Sequence, residues 1–209
     1  MNWSELSSSE TAELELLIKE YADVFATDPS EVGRTGLVHH SINTSSHPPI
    51  KQAPHRMPFS LQPKVDALIQ EMLDQGIVEE SSSPWASPIV LVSKPDGSTQ
   101  FCVDYRRLNA ITKVDEYPLP RVDECLDLLS GHKYFSTLDL ATGYWQVRMA
   151  EESQGKTAFT MHNGLFEFTV MPFGLCNAPA TFQRLMSKVL KGLVNEKCMV
   201  YLDDILENV

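Results

Sequence analysis

The sequence contains no apolar run that approaches the roughly 18 residues of a membrane span, so we expect no membrane partner. Its first residues are acidic and polar, without the apolar segment of a secretory signal, and we therefore expect an intracellular protein that is not secreted. The four cysteines show no CxxC spacing, which argues against a zinc site or a disulfide framework. We expect reduced core thiols at Cys102, Cys125, Cys176 and Cys198.

Positive charge is also scarce: 17 Lys and Arg residues oppose 28 Asp and Glu residues, for a net charge of −11. Taken whole, this balance argues against nucleic-acid binding. The charge is unevenly spread, however, because residues 1–31 carry −7 and the remaining residues carry −4. If acidic residues in the second part of the chain bind a metal ion, the effective negative charge of that part is smaller still. The composition therefore argues against polynucleotide binding without excluding it.

Apolar residues at helical spacing predict four helices. The first has a capping box from Ser7 and Glu10, and the second has Pro63 near its start and Gly76 just past its end. The predicted helices cover residues 10–25, 61–75, 122–129 and 178–193. We expect the last helix to bury Phe182, Leu185, Met186, Val189 and Leu193.

Residues 27–58 are rich in Pro, Ser, Thr and Gly, which predicts an extended connector. Four histidines lie along this segment, in a spacing that fits no zinc pattern. We expect solvated or locally hydrogen-bonded side chains at His39, His40, His47 and His55.

Turn residues between β-rich segments predict two hairpins. One joins 89–92 to 101–105 around the turn at 94–98, and the other joins 158–161 to 165–170 around Asn163 and Gly164. A further strand, 134–138, ends directly on Asp139, and acids at strand ends often face clefts. With the helices, these segments predict an α+β fold in which an antiparallel sheet packs on helices.

Asp203 and Asp204 are adjacent carboxylates within the β-like run 199–206. Because successive side chains on a strand point to opposite faces, we expect them at a hairpin tip, where a turn brings both to one side. Two buried like charges are costly without a cation between them. The pair alone is most simply an Asp-rich turn, but a third carboxylate from elsewhere would make it a site for a hard metal ion.

Six motifs follow one another along the chain: SPWASP (83–88), FCVDYRRLN (101–109), YPLPR (117–121), FSTLDLATGY (135–144), MPFGLCNAPATFQ (171–183) and YLDD (201–204). With these motifs in this order, residues 37–206 resemble the reverse transcriptase domain of gypsy-class long-terminal-repeat retrotransposons. The resemblance implies the fingers and partial palm of a right-hand polymerase, with the thumb absent. It divides the chain into an acidic N-terminal helix and connector (1–36), the reverse transcriptase region (37–206) and a tail outside the family pattern (207–209).

The resemblance also implies the function: RNA-directed DNA polymerisation, in which two Mg²⁺ ions, or Mn²⁺ in their place, assist nucleotidyl transfer to a primer 3′-hydroxyl. Asp139, Asp203 and Asp204 match the catalytic metal ligands. The implied partners are an RNA or DNA template with its primer and deoxynucleoside triphosphates, in the cytoplasm or in retroelement particles; the oligomeric state is left open.

Five further positions match family residues that contact substrate. Tyr144 matches the position that blocks a ribose 2′-hydroxyl, and its alternative reading is a core aromatic. Phe173 and Gly174 match the platform beside the incoming nucleotide and template. Lys94 matches a fingers residue on the triphosphate and Arg106 one on the template strand, although both could be solvated charges.

Two departures from the family pattern favour an alternative function. Gln100 stands where the family has an Arg that grips the triphosphate, and Gln supplies neither its charge nor its bidentate fork. The sequence also stops soon after Asp204, where relatives continue through the palm, thumb and ribonuclease H, so we expect a short final strand with few ladder bonds and an aggregation-prone edge. The alternative is an inactive relic or a co-opted binding fragment.

Overall fold

The computed structural model describes residues 7–26, 33–93, 99–121, 123, 130–131, 135–194 and 196–208. It divides the chain into two units, residues 1–32 and residues 33–209. The predicted helix at 122–129, the turn at 94–98 and Cys125 lie outside the described residues, apart from Asp123. No helix in the described ranges is long and apolar enough to cross a membrane.

The first unit contains helix α1 (Ser8–Glu20), followed by a 3₁₀ turn (Ala22–Val24). The predicted capping box is confirmed: the Ser7 backbone N–H donates to the Glu10 carboxylate at 2.7 Å, and the Ser7 hydroxyl accepts from the Glu10 N–H at 3.4 Å. The helix ends at Glu20 rather than continuing to residue 25, and it buries none of its residues.

A five-stranded sheet forms much of the second unit, in the order β2-β8-β7-β3-β4. Neighbouring strands are antiparallel except for the parallel pair β3 and β7. The strands are β2 (Val78–Glu80), β3 (Ser87–Ser93), β4 (Thr99–Val103), β7 (Phe159–Thr160) and β8 (Leu165–Phe168). Both predicted hairpins are confirmed, as β3–β4 and β7–β8.

Helix α2 (Gln62–Asp74) precedes this sheet and buries Val65, Ile69 and Met72. Its ends follow the sequence signals, because Pro63 lies in the first turn and Gly76, just past the end, adopts φ +62°. A φ in this region favours glycine, so Gly76 terminates the helix without strain.

The predicted connector contains a strand that the sequence reading missed. Strand β1 (Thr35–His40) pairs in parallel with β6 (Val147–Met149), more than a hundred residues later. The prediction of a solvated or locally bonded His40 is wrong: His40 is 1% exposed and shares a 2.8 Å hydrogen bond with the Thr181 hydroxyl. His47 does bond locally, to the Thr44 carbonyl at 3.1 Å.

Helix α5 (Ala178–Val189) packs against β1 and against strand β9 (Cys198–Tyr201). Its predicted inward residues Phe182, Leu185 and Met186 are buried. The predictions for Val189 and Leu193 are wrong, because these side chains are 52% and 44% exposed. The helix ends at Val189, and Gly192 at φ +87° turns the following chain away from the helical path.

A three-stranded antiparallel sheet completes the second unit, in the order β5-β10-β9. Its strands are β5 (Phe135–Asp139), β9 (Cys198–Tyr201) and β10 (Asp204–Asn208). The expected short ladder is wrong, because β10 is the central strand and pairs on both sides as far as Glu207. The edges of this sheet are therefore β5 and β9.

Short helices complete the second unit: α3 (Arg106–Asn109), α4 (Glu151–Gln154) and the 3₁₀ turns Gly143–Gln146 and Gly155–Thr157. Cys102, Cys176 and Cys198 are free thiols, as predicted, and burial raises the pKa of each. The prediction of a core position is wrong for Cys176, which is exposed.

Candidate active site

Asp139 and Asp204 face each other across the pair of strands β5 and β10. Directly opposed residues of an antiparallel pair point to the same face, with Cβ atoms about 5 Å apart. Ile205, which follows Asp204 on β10 and so points to the opposite face, packs against the core together with its β9 partner Val200. Strand alternation therefore puts both carboxylates on the exposed face of this sheet.

The carboxylate of Asp203 belongs to the turn between β9 and β10, as the sequence predicts. Leu202 and Asp203 form the two-residue loop, and Asp204 is the first residue of β10. The Leu140 backbone N–H donates to the Asp203 carbonyl at 3.4 Å, which joins the turn to the chain just after Asp139. The backbone thus brings the three aspartates to one corner of the sheet.

The carboxylates are near each other without forming a closed metal centre. Across the described ranges, no three His, Cys, Asp or Glu side chains are gathered closely enough to hold a metal ion. Within the same ranges, no hydrogen bond or ion pair engages the three carboxylate groups. Carboxylate oxygens without hydrogen-bond partners fit a hard divalent cation, whose remaining ligands would come from water or substrate phosphates.

Tyr144 lies beside this corner. It belongs to the 3₁₀ turn Gly143–Gln146, and its ring stacks on Phe173 with centroids 5.0 Å apart and an interplanar angle of 25°. Partial burial, and secondarily the negative charge of Asp203, raise the pKa of Tyr144. Leu140 links the two features, because its carbonyl accepts from the Gly143 N–H at 3.1 Å and its N–H donates to the Asp203 carbonyl at 3.4 Å. The turn that carries Tyr144 therefore adjoins the turn that carries Asp203.

Gly143 allows Tyr144 and Phe182 to lie close together. A Cβ at Gly143 would lie 2.8 Å from Cζ of Phe182, closer than carbon atoms approach one another. Phe182 is 1% exposed and lies 5.4 Å from the Tyr144 ring, centroid to centroid. The glycine therefore lets the turn that carries Tyr144 approach α5.

Phe173 and Gly174 belong to a loop whose backbone is hydrogen-bonded to the side chain of Asn109. Phe173 is 48% exposed, and Gly174 adopts φ +92°, which favours glycine. The Asn109 side chain donates to the Gly174 carbonyl at 2.8 Å and accepts from the Cys176 N–H at 3.0 Å. Asn109 belongs to the motif at 101–109, but the sequence pattern does not predict this supporting role.

Among the described residues, no hydrogen bond or ion pair links Arg106 to the three aspartates. Arg106 is 87% exposed and forms a fork with Asp104, from Nε at 2.8 Å and Nη2 at 2.6 Å. These hydrogen bonds lower the pKa of Asp104 to about 2. Lys94 lies outside the described residues. Gln100 lies on β4, opposite Val92 of β3.

A cavity of about 420 Å³ lies between β1, β6 and the end of α2, with Arg34, His39, Glu79 and Arg148 among its lining residues. None of the three aspartates lines it. The candidate active site therefore lies outside this cavity, at the corner of the three-stranded sheet.

A family model described as reverse transcriptase (RNA-dependent DNA polymerase) matches residues 92–207, more than half of the chain and all three aspartates. The chain belongs to the reverse transcriptase family. The predicted resemblance is thereby confirmed, and the family uses divalent metal ions.

Curated relatives of this reverse transcriptase domain are retrovirus-related Pol polyproteins of Drosophila melanogaster transposons. The polyprotein from transposon 297 is 42% identical over 206 residues, which cover 96% of this chain and 20% of the relative. That from transposon 412 is 34% identical, covering 98% of this chain and 17% of the relative. An enzymatic polyprotein of Cauliflower mosaic virus is 41% identical over 68% of this chain. The chain spans about a fifth of the length of these relatives.

Solved structures of foamy virus protease–reverse transcriptases have the same fold. The complex with an RNA/DNA hybrid matches with a TM-score of 0.85 and 27% identity, covering 98% of this chain and 27% of that one. A complex with double-stranded DNA matches with a TM-score of 0.87 and 28% identity, covering 98% and 36%. The predicted α+β fold of reverse transcriptase fingers and palm is confirmed.

Proposed function

We propose that this domain is an RNA-directed DNA polymerase that adds deoxynucleotides to a primer 3′-hydroxyl. The observation that carries the proposal is the placement of Asp139 opposite Asp204, with Asp203 in the adjoining turn and the turn that carries Tyr144 next to it. The primer 3′-oxygen would form a bond to the α-phosphorus of the nucleotide. The bond from that phosphorus to pyrophosphate would break, and the hydroxyl proton would be lost to solvent.

Asp139, Asp203 and Asp204 would hold two Mg²⁺ ions, or Mn²⁺ in their place. The donor chemistry fits, because hard divalent cations prefer carboxylate oxygens and retain waters or phosphate oxygens as further ligands. When bound, the ions would supply the positive charge that activates the primer hydroxyl and stabilises the leaving pyrophosphate. The role of the chain is to fix the three carboxylates at one corner of the sheet.

The aromatic surface would select and support the nucleotide. The exposed part of Phe173 and the backbone of Gly174 offer a flat platform for a base. The Tyr144 ring, fixed by its stacking on Phe173, would block the space that a ribose 2′-hydroxyl needs. A deoxynucleotide would fit beside it, so the domain would make DNA.

Arg106 and Lys94 would bind phosphates. The Arg106 fork to Asp104 uses Nε and Nη2, which leaves Nη1 available to a template phosphate at an exposed position. Lys94 would contact the nucleotide triphosphate by its match to the family motif. Complexes of the foamy viral protease–reverse transcriptase with RNA/DNA hybrid and with double-stranded DNA support a template and primer as partners here.

A binding function without catalysis is the second candidate, and Gln100 favours it. Gln100 is exposed on β4, in the sheet that carries the fingers hairpin, and it supplies no charge to a triphosphate. In that case the domain would bind a template and primer without extending the primer.

Primer extension on an RNA template decides between these functions. The assay would contain the domain, a labelled DNA primer, Mg²⁺ and deoxynucleotides, with a chelator control and a parallel measurement of template–primer binding. Extension that the chelator abolishes supports the polymerase. Binding without extension supports the second candidate, and neither binding nor extension contradicts both.

A further inference from the structure

Gln183 connects helix α5 to the hairpin that carries two of the aspartates. The side chain is 4% exposed, and its Oε1 accepts a hydrogen bond from the Leu202 backbone N–H at 3.0 Å. Its Nε2 donates to the Val200 carbonyl at 3.5 Å. Because an N–H can only donate and a carbonyl can only accept, these two partners fix the orientation of the amide.

The residue held by Gln183 has an unfavourable backbone conformation. Leu202 adopts φ +56°, in the left-handed region that L-residues other than Gly, Asn and Asp rarely occupy. It is the first residue of the two-residue loop between β9 and β10, a position where glycine is common. Such strain persists only when surrounding contacts over-determine the backbone.

The conformation of Leu202 sets the direction of the chain into both aspartates. Asp203 follows it directly and accepts the Leu140 N–H through its carbonyl, and Asp204 then begins β10 opposite Asp139. If Leu202 relaxed to a negative φ, the peptide before Asp203 would rotate. The carboxylates of Asp203 and Asp139 would then no longer lie at the same corner.

We propose that Gln183 is a positioning residue that holds Leu202 in its strained conformation, and thereby holds Asp203 and Asp204 beside Asp139. The proposal rests on the polymerase function proposed above. Among the described residues, the side chain of Gln183 forms hydrogen bonds with the backbone of Leu202 and Val200 and with no aspartate side chain. Its effect on the aspartates passes through two backbone hydrogen bonds.

The alternative is that Gln183 only stabilises the fold, as any buried hydrogen-bonded amide does. Thr181, on the same helix, provides a matched comparison, because its buried hydroxyl bonds to His40 and not to the hairpin. Gln183→Met removes both hydrogen bonds at similar side-chain length, and Thr181→Val removes one buried bond at similar volume. A purely structural role predicts that both variants lower the unfolding temperature and affect the hairpin equally.

The positioning role predicts a specific change at the hairpin, measured by amide hydrogen exchange below the unfolding temperature of every variant. We expect the Leu202 N–H to exchange at least tenfold faster in Gln183→Met than in the wild type. The Met171 N–H, which donates to the Val147 carbonyl at 2.8 Å, should exchange at its wild-type rate. In Thr181→Val, the Leu202 N–H should stay protected. Unchanged Leu202 exchange in Gln183→Met would overturn the proposal.

Primer extension adds a kinetic test that depends on the strain at Leu202. Gln183→Met should lower kcat at least tenfold, while the Kd for template–primer changes less than twofold. In the Leu202→Gly background, where positive φ is unstrained, the same substitution should lower kcat less than threefold. An equal loss in both backgrounds would overturn the proposal. If the wild-type domain extends no primer, the proposed function fails, and the exchange measurement still decides the role of Gln183.

Discussion

Asp139 lies directly opposite Asp204 in the antiparallel pair of β5 and β10, so two carboxylates of like charge share the exposed face of the sheet. Directly opposed like charges destabilise a sheet. The arrangement is therefore unfavourable for folding by itself, and the cation proposed above would remove the repulsion if both carboxylates bound it.

The first prediction is that Asp204→Asn stabilises the metal-free domain. Removing one of the two opposed charges should raise the free energy of unfolding by about 0.2–1 kcal/mol at pH 7, in urea titrations with a chelator present. Glu207→Gln makes the same charge change on the opposite face of β10, away from Asp139. This control should show a smaller gain, and a destabilised Asp204→Asn would contradict the electrostatic interpretation.

The second prediction concerns Gly143. In Gly143→Ala the new methyl group would meet the buried Phe182 ring at 2.8 Å, so the ring or the turn must shift. We expect a loss of about 1–3 kcal/mol in the free energy of unfolding, measured by urea titration. Gly36→Ala is the control, because a Cβ at Gly36 meets nothing within 4 Å. Equal stability of the two variants would contradict the close packing of this turn on α5.

The third prediction is a loss of stability on mild acidification because of His40. Burial lowers the pKa of His40 to about 4, against an ordinary value of 6.5; Asp115 partly opposes this and Arg184 adds to it. Since the folded state resists protonation, stability is full above pH 6.5 and falls as the pH is lowered towards 4. The decrease attributable to His40 should reach about 3 kcal/mol by pH 4.

Urea titrations at several pH values between 7 and 4 measure this effect. In His40→Gln the free energy of unfolding should decrease less between pH 7 and pH 4 than it does in the wild type, by most of the about 3 kcal/mol attributed to His40. The variant will nevertheless be less stable than the wild type at pH 7. His39→Gln, at the adjacent exposed position, serves as the control and should keep the wild-type slope. Identical slopes for His40→Gln and the wild type would show that His40 is not the cause.

The fourth prediction tests Tyr144 as the residue that excludes ribonucleotides. Tyr144→Ala removes the ring that stacks on Phe173, so kcat/KM for a ribonucleotide relative to its deoxynucleotide should rise at least tenfold. Tyr144→Phe keeps the ring and should preserve the discrimination. Single-nucleotide incorporation assays measure both ratios. Unchanged discrimination in Tyr144→Ala would leave Tyr144 with only a packing role.

Local sequence patterns predicted the elements whose determinants lie within a few residues. The cap at Ser7, the end of α2 at Gly76 and the hairpin at Asn163 depend on turn chemistry that neighbouring residues carry. The ordered motifs predicted Asp203 in a turn and Asp139 at a strand end, because both follow from strand periodicity and family order.

Features set by distant partners could not be predicted in this way. β1 exists because β6 pairs with it, and His40 is buried because β1 places it against Thr181, which is 141 residues away. Nothing in the residues around Gln183 predicted that its side chain bonds to the β9–β10 hairpin. A polar residue among the inward positions of α5 was the available signal, since buried polar groups require partners.

The central claim, that Asp139, Asp203 and Asp204 are a catalytic set, is tested most directly by single-turnover primer extension on an RNA template with Mg²⁺. Wild type, Asp203→Asn and Asp139→Asn would be compared with Glu207→Gln as the charge-matched control. We predict extension by wild type and Glu207→Gln, and a loss of at least a hundredfold in both aspartate variants with template–primer binding preserved. Extension by Asp203→Asn at the wild-type rate would contradict the account.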